Sequence, residues 1–385
     1  MHTIMGGALR VSGILVALTA VTSGCTRDAP TDGAPGTSSA KASSPASSKR
    51  GLGDILVGGK AVTGSQPSGL AKVPYRRTYT DGALYAPVTG FRSMAFGGSG
   101  LERVYEDVLG AAGSGAGPGD VATTIEPAVQ KAAFAALGER RGAAVALDAQ
   151  SGKLLAVVST PSYDPATFSG RSTKDAQAWK SLNADSRSPM LNRALRQADA
   201  PGATFSVVVA AAALDQGLYA TVDDPTASPL SYVLPLSTTR VTGGSSACLN
   251  ASIRVALRHS CANVFTKLAA DLGQDRLRSV ARKFGFDGDT LDVPLRVAES
   301  SYPGAGTSAP AAALTGIGAG DVRATVLQMA RVAAAVANDG RLVPPRLVER
   351  VTNADGAARP PGDGGGAPVQ AVSRGAAEAL RAALG

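Results

Sequence analysis

Two short apolar runs decide the fold of this chain: Gly142-Ala-Ala-Val-Ala-Leu147 and Lys153-Leu-Leu-Ala-Val-Val158. The five residues between them begin with Asp148 and end with Gly152, which favour a reversing connection. The two runs therefore predict a buried hairpin of a central sheet. Helical patterns follow the hairpin, so the chain is predicted to be α+β. One predicted helix begins near Thr124 and ends at Leu137. The other predicted helices cover residues 203–214, 252–258, 264–272, 276–284, 326–337 and 374–384.

The first 25 residues have the pattern of an export signal. Arg10 supplies a positive flank, residues 14–21 form a short apolar core, and Thr22-Ser-Gly-Cys25 places small residues before a cysteine. The apolar core is shorter than the about 20 residues that cross a bilayer. We expect residues 1–24 to be a lipoprotein signal peptide and Cys25 to carry the lipid, which places the protein on the extracytoplasmic face of the membrane. Cleavage without lipidation and an uncleaved anchor are the alternatives.

Composition predicts how the rest of the chain is divided. Residues 25–70 are rich in serine, alanine, proline and glycine, and predict a flexible tether. Residues 71–118 are assigned to a small N-terminal segment, and residues 119–385 to the main domain. No internal repeat is visible.

Charge and rare residues exclude several classes of function. The formal charge of +8 is scattered rather than clustered, which argues against a nucleic-acid-binding protein and suits an anionic membrane or wall surface. His2 and His259 are the only histidines, so neither a zinc site nor another metal centre is expected, and nothing indicates a cofactor. Cys248 and Cys261 can form a disulfide in an oxidising compartment, and two buried free thiols are the alternative.

Eight stretches of sequence between Tyr79 and Val348 occur in a fixed order. They are Tyr79-Thr-Asp-Gly-Ala-Leu-Tyr-Ala-Pro-Val-Thr-Gly90, Gly98-Ser-Gly-Leu-Glu102, Thr123-Thr-Ile-Glu-Pro-Ala-Val-Gln130, Val145-Ala-Leu-Asp-Ala-Gln-Ser-Gly152, Pro161-Ser-Tyr-Asp-Pro165, Asn192-Arg-Ala194, Pro201-Gly-Ala-Thr-Phe205, and Gly318-Ala-Gly-Asp-Val322 with Leu327-Gln-Met-Ala330. Together they resemble the class B penicillin-binding proteins, which are peptidoglycan transpeptidases.

The resemblance implies a fold like that of penicillin-binding proteins and serine β-lactamases, with a central antiparallel sheet flanked by helices. It also implies an acyl-transfer reaction. A serine attacks the D-Ala-D-Ala bond of a wall stem peptide, forms an acyl-enzyme and passes the acyl group to an amine, and penicillin is trapped at the same serine. Three motifs carry this chemistry in the family: Ser-x-x-Lys, Ser-x-Asn and Lys-Thr-Gly.

The Ser-x-x-Lys motif is degenerate here. A spacing of three places both side chains on one helical face, where the lysine can accept the serine proton. This chain has Ala203 at the nucleophile position and Ser206 at the position of the base. The only intact Ser-x-x-Lys is Ser38-Ser-Ala-Lys41, which lies in the predicted tether.

The other two motifs also depart from the family pattern. Ser-x-Asn appears as Ser260-Cys-Ala262, with Asn263 one position late. We expect this motif to be broken, with Ser260 capping the helix that follows; a local bulge that restores it is the alternative. No Lys-Thr-Gly triplet is present, and the motif is expected after the helix that begins at Arg374. We therefore expect the central sheet to be incomplete at the C-terminus.

These substitutions favour a catalytically inactive transpeptidase relative with a binding or scaffolding role. Its expected partners are a stem peptide, a β-lactam or a protein of cell-wall synthesis. Two alternatives stay open at this point: a truncated product without function, and an active transpeptidase that uses an unrecognised nucleophile. The sequence therefore predicts the family and leaves enzymatic activity undecided.

Overall fold

The computed structural model describes residues 51–110, 117–288, 291, 293–362 and 366–385. The predicted signal peptide, the lipidation site at Cys25 and the Ser38-Ser-Ala-Lys41 stretch lie outside these residues. Within them, the helices include none that is long and apolar enough to cross a membrane.

Strands and helices are interspersed along the described part of the chain. Its strands are β1 (Ile55–Val57), β2 (Lys60–Ala61), β3 (Thr63–Leu70), β4 (Val73–Tyr79), β5 (Arg92–Ser93), β6 (Gly97–Gly98), β7 (Asp120–Thr123), β8 (Gly142–Leu147), β9 (Leu154–Thr160), β10 (Ser231–Val233), β11 (Arg240–Thr242), β12 (Arg341–Leu342), β13 (Val348–Thr352), β14 (Ala358–Arg359) and β15 (Val369–Gln370). Its helices are α1 (Gly82–Thr89), α2 (Gly100–Val104), α3 (Glu106–Leu109), α4 (Pro127–Leu137), α5 (Thr173–Ala184), α6 (Arg193–Arg196), α7 (Ser206–Asp215), α8 (Ile253–His259), α9 (Ala262–Leu272), α10 (Gln274–Lys283), α11 (Ala309–Leu314), α12 (Val326–Ala337) and α13 (Arg374–Leu384).

The predicted hairpin is confirmed as β8 and β9, which pair antiparallel from Gly142 opposite Thr160 to Leu147 opposite Leu154. Helices α1, α4 and α6 pack against β9, and α12 packs against β8. Since β9 is covered in this way, Ala156, Val157 and Val158 are fully buried. The described residues add no third strand to this pair.

Helix α7 occupies the centre of the second core. Residues 208–213 of this helix are all fully buried, and α8, α9, α10, α12 and α13 surround them. A helix that is apolar on every side needs such a shell. This second core therefore gathers the helices of the α+β fold around α7.

Most of the helix predictions are confirmed. The last two predicted helices match α12 and α13 residue for residue. Helices α8, α9 and α10 both begin and end within two residues of the predicted limits. The helix predicted from Thr124 instead begins at Pro127, because the Thr124 hydroxyl donates to the carbonyl oxygen of Leu154 at 2.7 Å and holds this residue against β9.

The N-terminal boundary at residue 70 was wrong. Residues 51–70, which were assigned to the tether, contain β1, β2 and β3. Strand β1 pairs with β7 in a mixed five-stranded sheet of order β14-β13-β7-β1-β2, and β3 pairs with β4. The glycine, serine and proline residues of β3 do not predict a strand. The contacts that order β3 come from β4, including the buried side chain of Arg77.

Candidate functional site

The site predicted from Ser-x-x-Lys lies at the start of α7. Residues Gly202–Phe205 form a short 3-10 helix that leads into Ser206, the first residue of α7. The buried ring of Phe205 meets that of Phe286 edge to face, with 5.4 Å between the ring centroids. Phe205 therefore anchors the turn, while Ala203 before it is exposed.

A second turn is packed closely against this one. Gly318 has φ +64°, and a Cβ at this position would lie 2.2 Å from the carbonyl oxygen of Gly202. Since no side chain fits there, the two turns can approach only while residue 318 is glycine. The backbone that presents Ala203 is thus held firmly, although the side chain it presents is a methyl group.

Ser206 has a structural role in place of the expected base. Its side chain is buried with 3% of the residue exposed, and its hydroxyl donates to the carbonyl oxygen of Gly316 at 3.2 Å. A neutral hydroxyl that is bonded in this way ties α7 to the turn at residues 315–317. It is a far poorer proton acceptor than an amine, so the pair Ala203 and Ser206 offers neither a nucleophile nor a general base.

Ser260 ends one helix and does not cap the next, which corrects the capping prediction. It is the C-terminal cap of α8, with φ 51° in the left-handed region, and it is exposed. The N-terminal cap of α9 is Cys261, which makes no capping hydrogen bond with its side chain. Ser260 sits where the chain reverses between two helices, and the short link leaves the cap to the residue after it.

The amide of Asn263 is turned into the interior. Ala262 is the first residue of α9, so Asn263 already belongs to the helix. Its side chain is fully buried and donates to the carbonyl oxygens of Pro229 at 2.8 Å and Cys248 at 2.9 Å. The amide therefore holds the loop before α8, and Ala262 supplies no polar group in its place.

Cys248 and Cys261 form a disulfide in the structure, with 5.4 Å between their Cα atoms. Both residues are fully buried. The bond joins the short helix Ser246–Cys248 to the start of α9, next to Asn263. It therefore fixes the loop that carries Ser260 and Ala262.

Family models match most of this chain. The model described as the penicillin binding protein transpeptidase domain matches residues 142–384. The chain belongs to this family. A second model, the penicillin binding protein A dimerisation domain, matches residues 52–122 and so includes the strands that had been assigned to the tether.

Named relatives agree with this assignment. The chain is 37% identical over 329 residues to the peptidoglycan D,D-transpeptidase PbpA of Mycolicibacterium smegmatis, an alignment that covers 80% of this chain and 66% of the relative. The chain thus spans just under two thirds of that relative's length.

Solved structures give the same family. Penicillin-binding protein A from M. tuberculosis, solved as a penicillin G acyl-enzyme complex, superimposes with a TM-score of 0.80 at 33% identity over 87% of this chain and 81% of that chain. The D,D-transpeptidase domain of a peptidoglycan glycosyltransferase from Eggerthella lenta gives a TM-score of 0.75 at 31% identity, covering 86% and 80%. The predicted penicillin-binding protein fold is confirmed.

The polar groups of this region do not assemble a metal site. Among the described residues, no cluster of three or more histidine, cysteine, aspartate or glutamate side chains could hold a metal ion. The sequence reasoning did miss one charged residue. The stretch Asn192-Arg-Ala194 does not mark Arg193 as a charged site residue, but the structure buries Arg193 in the wall of a cleft beside β8.

Proposed function

We propose that this chain is a catalytically inactive relative of the peptidoglycan transpeptidases and acts by binding at the cell wall. The observation that carries the proposal is the start of α7, where Ala203 replaces the nucleophile and the Ser206 hydroxyl is bonded to Gly316. The scaffold around these residues is intact, since Phe205, the turn at Gly318 and the disulfide hold it in place.

Acyl transfer needs the nucleophile and its base together. A serine hydroxyl is a weak nucleophile at neutral pH until a neighbouring group accepts its proton. Residues that act as one catalytic unit lose nearly all activity when either is removed, so loss of both leaves nothing that one reversion repairs. The binding cleft of such an enzyme can persist after catalytic activity is lost. The shape of the cleft and its hydrogen bonds to a ligand do not depend on the nucleophile.

The proposed ligands follow from the relatives. The M. tuberculosis protein forms an acyl-enzyme with penicillin G, and the M. smegmatis relative is a peptidoglycan D,D-transpeptidase. For this chain we infer reversible binding of a stem peptide or β-lactam, or of a protein of cell-wall synthesis. Lipidation of Cys25 would hold the protein on the extracytoplasmic face of the membrane. The Thr22-Ser-Gly-Cys25 stretch supports this anchor.

Labelling with fluorescent penicillin tests the proposal. We expect no covalent adduct on the purified full-length chain after denaturing electrophoresis, and cooperative thermal unfolding should show that the sample is folded. The Ala203→Ser variant should also stay unlabelled, because Ser206 cannot act as the missing lysine. An adduct that mass spectrometry maps to any residue of the wild-type chain would overturn the proposal and identify the nucleophile.

A further inference from the structure

A cavity of about 390 Å³ lies between the N-terminal segment and the β9 side of the central hairpin. We call it the β9 cavity. One wall comes from α1 and the turn before α2, and the other comes from the end of β9, the loop before α6 and α6 itself. The lining exposes more apolar than polar surface, and its larger apolar side chains are Pro87, Pro189, Met190, Leu191, Leu195 and Leu295. A recess of this size and lining is typical of a small-molecule site.

The β9 cavity lies on the side of the hairpin where the strand backbone is already bonded. The N–H of Glu126 donates to the carbonyl oxygen of Leu155 at 2.9 Å, and Gln130 bonds both the N–H and the C=O of Val157. Strands that extend the sheet therefore pair with β8. None of the residues that line the cavity belongs to β8 or to α13. The walls of the cavity thus depend on the N-terminal segment and β9, and not on the side where the sheet grows.

Hydrogen bonds hold the walls of the β9 cavity in place. Nδ2 of Asn192 donates to the carbonyl oxygen of Pro87 at 2.7 Å, and its Oδ1 accepts from the N–H of Leu195 at 3.3 Å. The Ser159 hydroxyl donates to the carbonyl oxygen of Leu191 at 2.9 Å. These bonds join the two walls and fix the loop before α6. The cavity is therefore preformed, and a ligand that enters it does not have to order its walls.

The cavity has a neutral interior and a positive rim. Burial raises the pKa of Tyr163 to about 12, so the hydroxyl in its wall stays protonated. The charged residues of the lining are Arg196 and Arg296, and both are exposed. Nη1 of Arg196 donates to the carbonyl oxygen of Arg296 at 3.4 Å, which brings the two residues together. Neither has a carboxylate within 4 Å among the described residues. Two unpaired cations beside an apolar recess favour an apolar chain that ends in an anion.

We propose that the β9 cavity binds a free straight-chain carboxylic acid, with the chain in the apolar recess and the carboxylate at Arg196 and Arg296. Arginine binds carboxylates through charge-assisted hydrogen bonds that are often bidentate. A peptide fits less well, because the amide of Asn192 and the hydroxyl of Ser159 are already bonded to the walls. The inference goes beyond the proposed function, since no residue of the lining belongs to α7 or to residues 259–263.

Isothermal titration calorimetry on the full-length chain tests the proposal with hexanoate, octanoate, decanoate and hexadecanoate. The affinity should rise about threefold to fourfold for each added methylene up to decanoate, because each one buries a similar apolar area. The rise should stop before hexadecanoate, because the cavity is then full. Decanol, which has the same chain without the charge, should bind about tenfold more weakly than decanoate. Equal binding of decanoate and decanol, or a rise that continues undiminished to hexadecanoate, would overturn the proposal.

Filling the cavity locates the apolar chain. Leu191→Trp places an indole in the recess and should weaken decanoate binding by about tenfold or more. The control is Leu249→Trp, at a position that is 60% exposed and outside the lining, and it should bind decanoate like the wild type. Unchanged binding by a folded Leu191→Trp variant would contradict the proposal.

A pair of charge variants locates the carboxylate, and decides the matter even if Leu191→Trp does not fold. Changing both Arg196 and Arg296 to glutamine should remove the preference for decanoate over decanol. The matched control changes Arg240 and Arg276, which are also exposed, and should keep the preference. A preference that survives in the first pair would mean that the carboxylate lies elsewhere and would overturn the proposal.

A second copy of the chain is the competing occupant. Sedimentation should give the same mass with and without decanoate. A dimer that decanoate dissociates would mean that a side chain of the other copy fills the cavity, and would overturn the proposal. A penicillin adduct on the wild-type chain would overturn the proposed function without changing the calorimetry, so the two experiments separate the two claims.

Discussion

Two buried arginines of this molecule have opposite surroundings. Arg77 is 1% exposed, and its Nε lies 2.7 Å from Oε1 of Glu102, while its Nη2 donates to Oε2 at 3.0 Å. Its Nη1 donates to the carbonyl oxygen of Gly53 at 2.7 Å. Arg193 is buried to almost the same extent, and in the described residues it finds only carbonyl oxygens. The charge of the first arginine is neutralised within the fold, and among the described residues the second is held by carbonyl oxygens alone.

The comparison shows that burial of an arginine does not by itself say how its charge is compensated. Moving an ion out of water is costly unless a counterion and hydrogen bonds replace the water. Arg77 and Glu102 provide this for each other and join β4 to α2 inside the N-terminal segment. Arg193 has only part of this compensation among the described residues, from the carbonyl oxygens of Leu191 and Arg187.

Breaking the Arg77 pair should have the largest effect on stability. Glu102→Gln leaves the guanidinium group buried without a counterion, and we expect a loss of about 3–5 kcal/mol in the free energy of unfolding. Chemical denaturation followed by circular dichroism measures it. Glu106→Gln is the matched control, because Glu106 is 62% exposed and lies 4.0 Å from Arg92. The control should change stability by less than about 0.5 kcal/mol. Equal losses in the two variants would mean that the Arg77 pair has no special weight.

The second prediction concerns the closed edge of the central hairpin. Gln130 is fully buried, and its amide bonds Val157 twice and the carbonyl oxygen of Leu84 once, each at 2.9 Å. Gln130→Leu keeps the volume but leaves these backbone groups buried and unpaired. We expect a loss of about 2–4 kcal/mol, since each unpaired buried group costs about 1–3 kcal/mol and the costs overlap.

The control for this variant is Gln150→Leu, at an exposed position of the turn between β8 and β9. It should stay within about 0.5 kcal/mol of the wild type. Hydrogen exchange gives a second readout, because the Val157 amide should lose protection only in the Gln130 variant. Retained protection at Val157 would show that the β9 edge does not depend on this amide.

How well an element was predicted from the sequence depended on whether its sequence signal is local. The hairpin, α12 and α13 were predicted because their signals are local: apolar periodicity, glycine turns and helix-ending residues. Strand β1 was missed because its order comes from a distant partner, β7, and β3 was missed because its glycine, serine and proline give no strand signal, although its partner β4 follows directly. A composition rich in glycine and serine cannot reveal a partner that lies tens of residues away.

At the candidate site, too, the features that depend on neighbouring residues were predicted, and those that depend on contacts made by the fold were not. The replacement of nucleophile and base at Ala203 and Ser206 is visible in the sequence, since motif spacing is local. That Ser206 bonds Gly316, or that the Asn263 amide holds Pro229, depends on residues brought together by the fold. That Arg193 meets no carboxylate in the part of the chain the structure describes is equally hidden in the sequence, because it depends on which side chains the fold brings near.

The smallest predicted effect on stability sharpens the comparison between the two arginines. Arg193→Met removes a buried charge that has no counterion among the described residues, so the relief of desolvation offsets the lost bonds to the carbonyl oxygens of Leu191 and Arg187. We expect a change of no more than about 1 kcal/mol in either direction, against about 3–5 kcal/mol for Arg77→Met, which would strand Glu102. Both variants make the same chemical change at equally buried positions, so denaturation curves compare the surroundings alone. A loss at Arg193 as large as that at Arg77 would show that the charge of Arg193 stabilises the folded chain as strongly as the Arg77–Glu102 pair does.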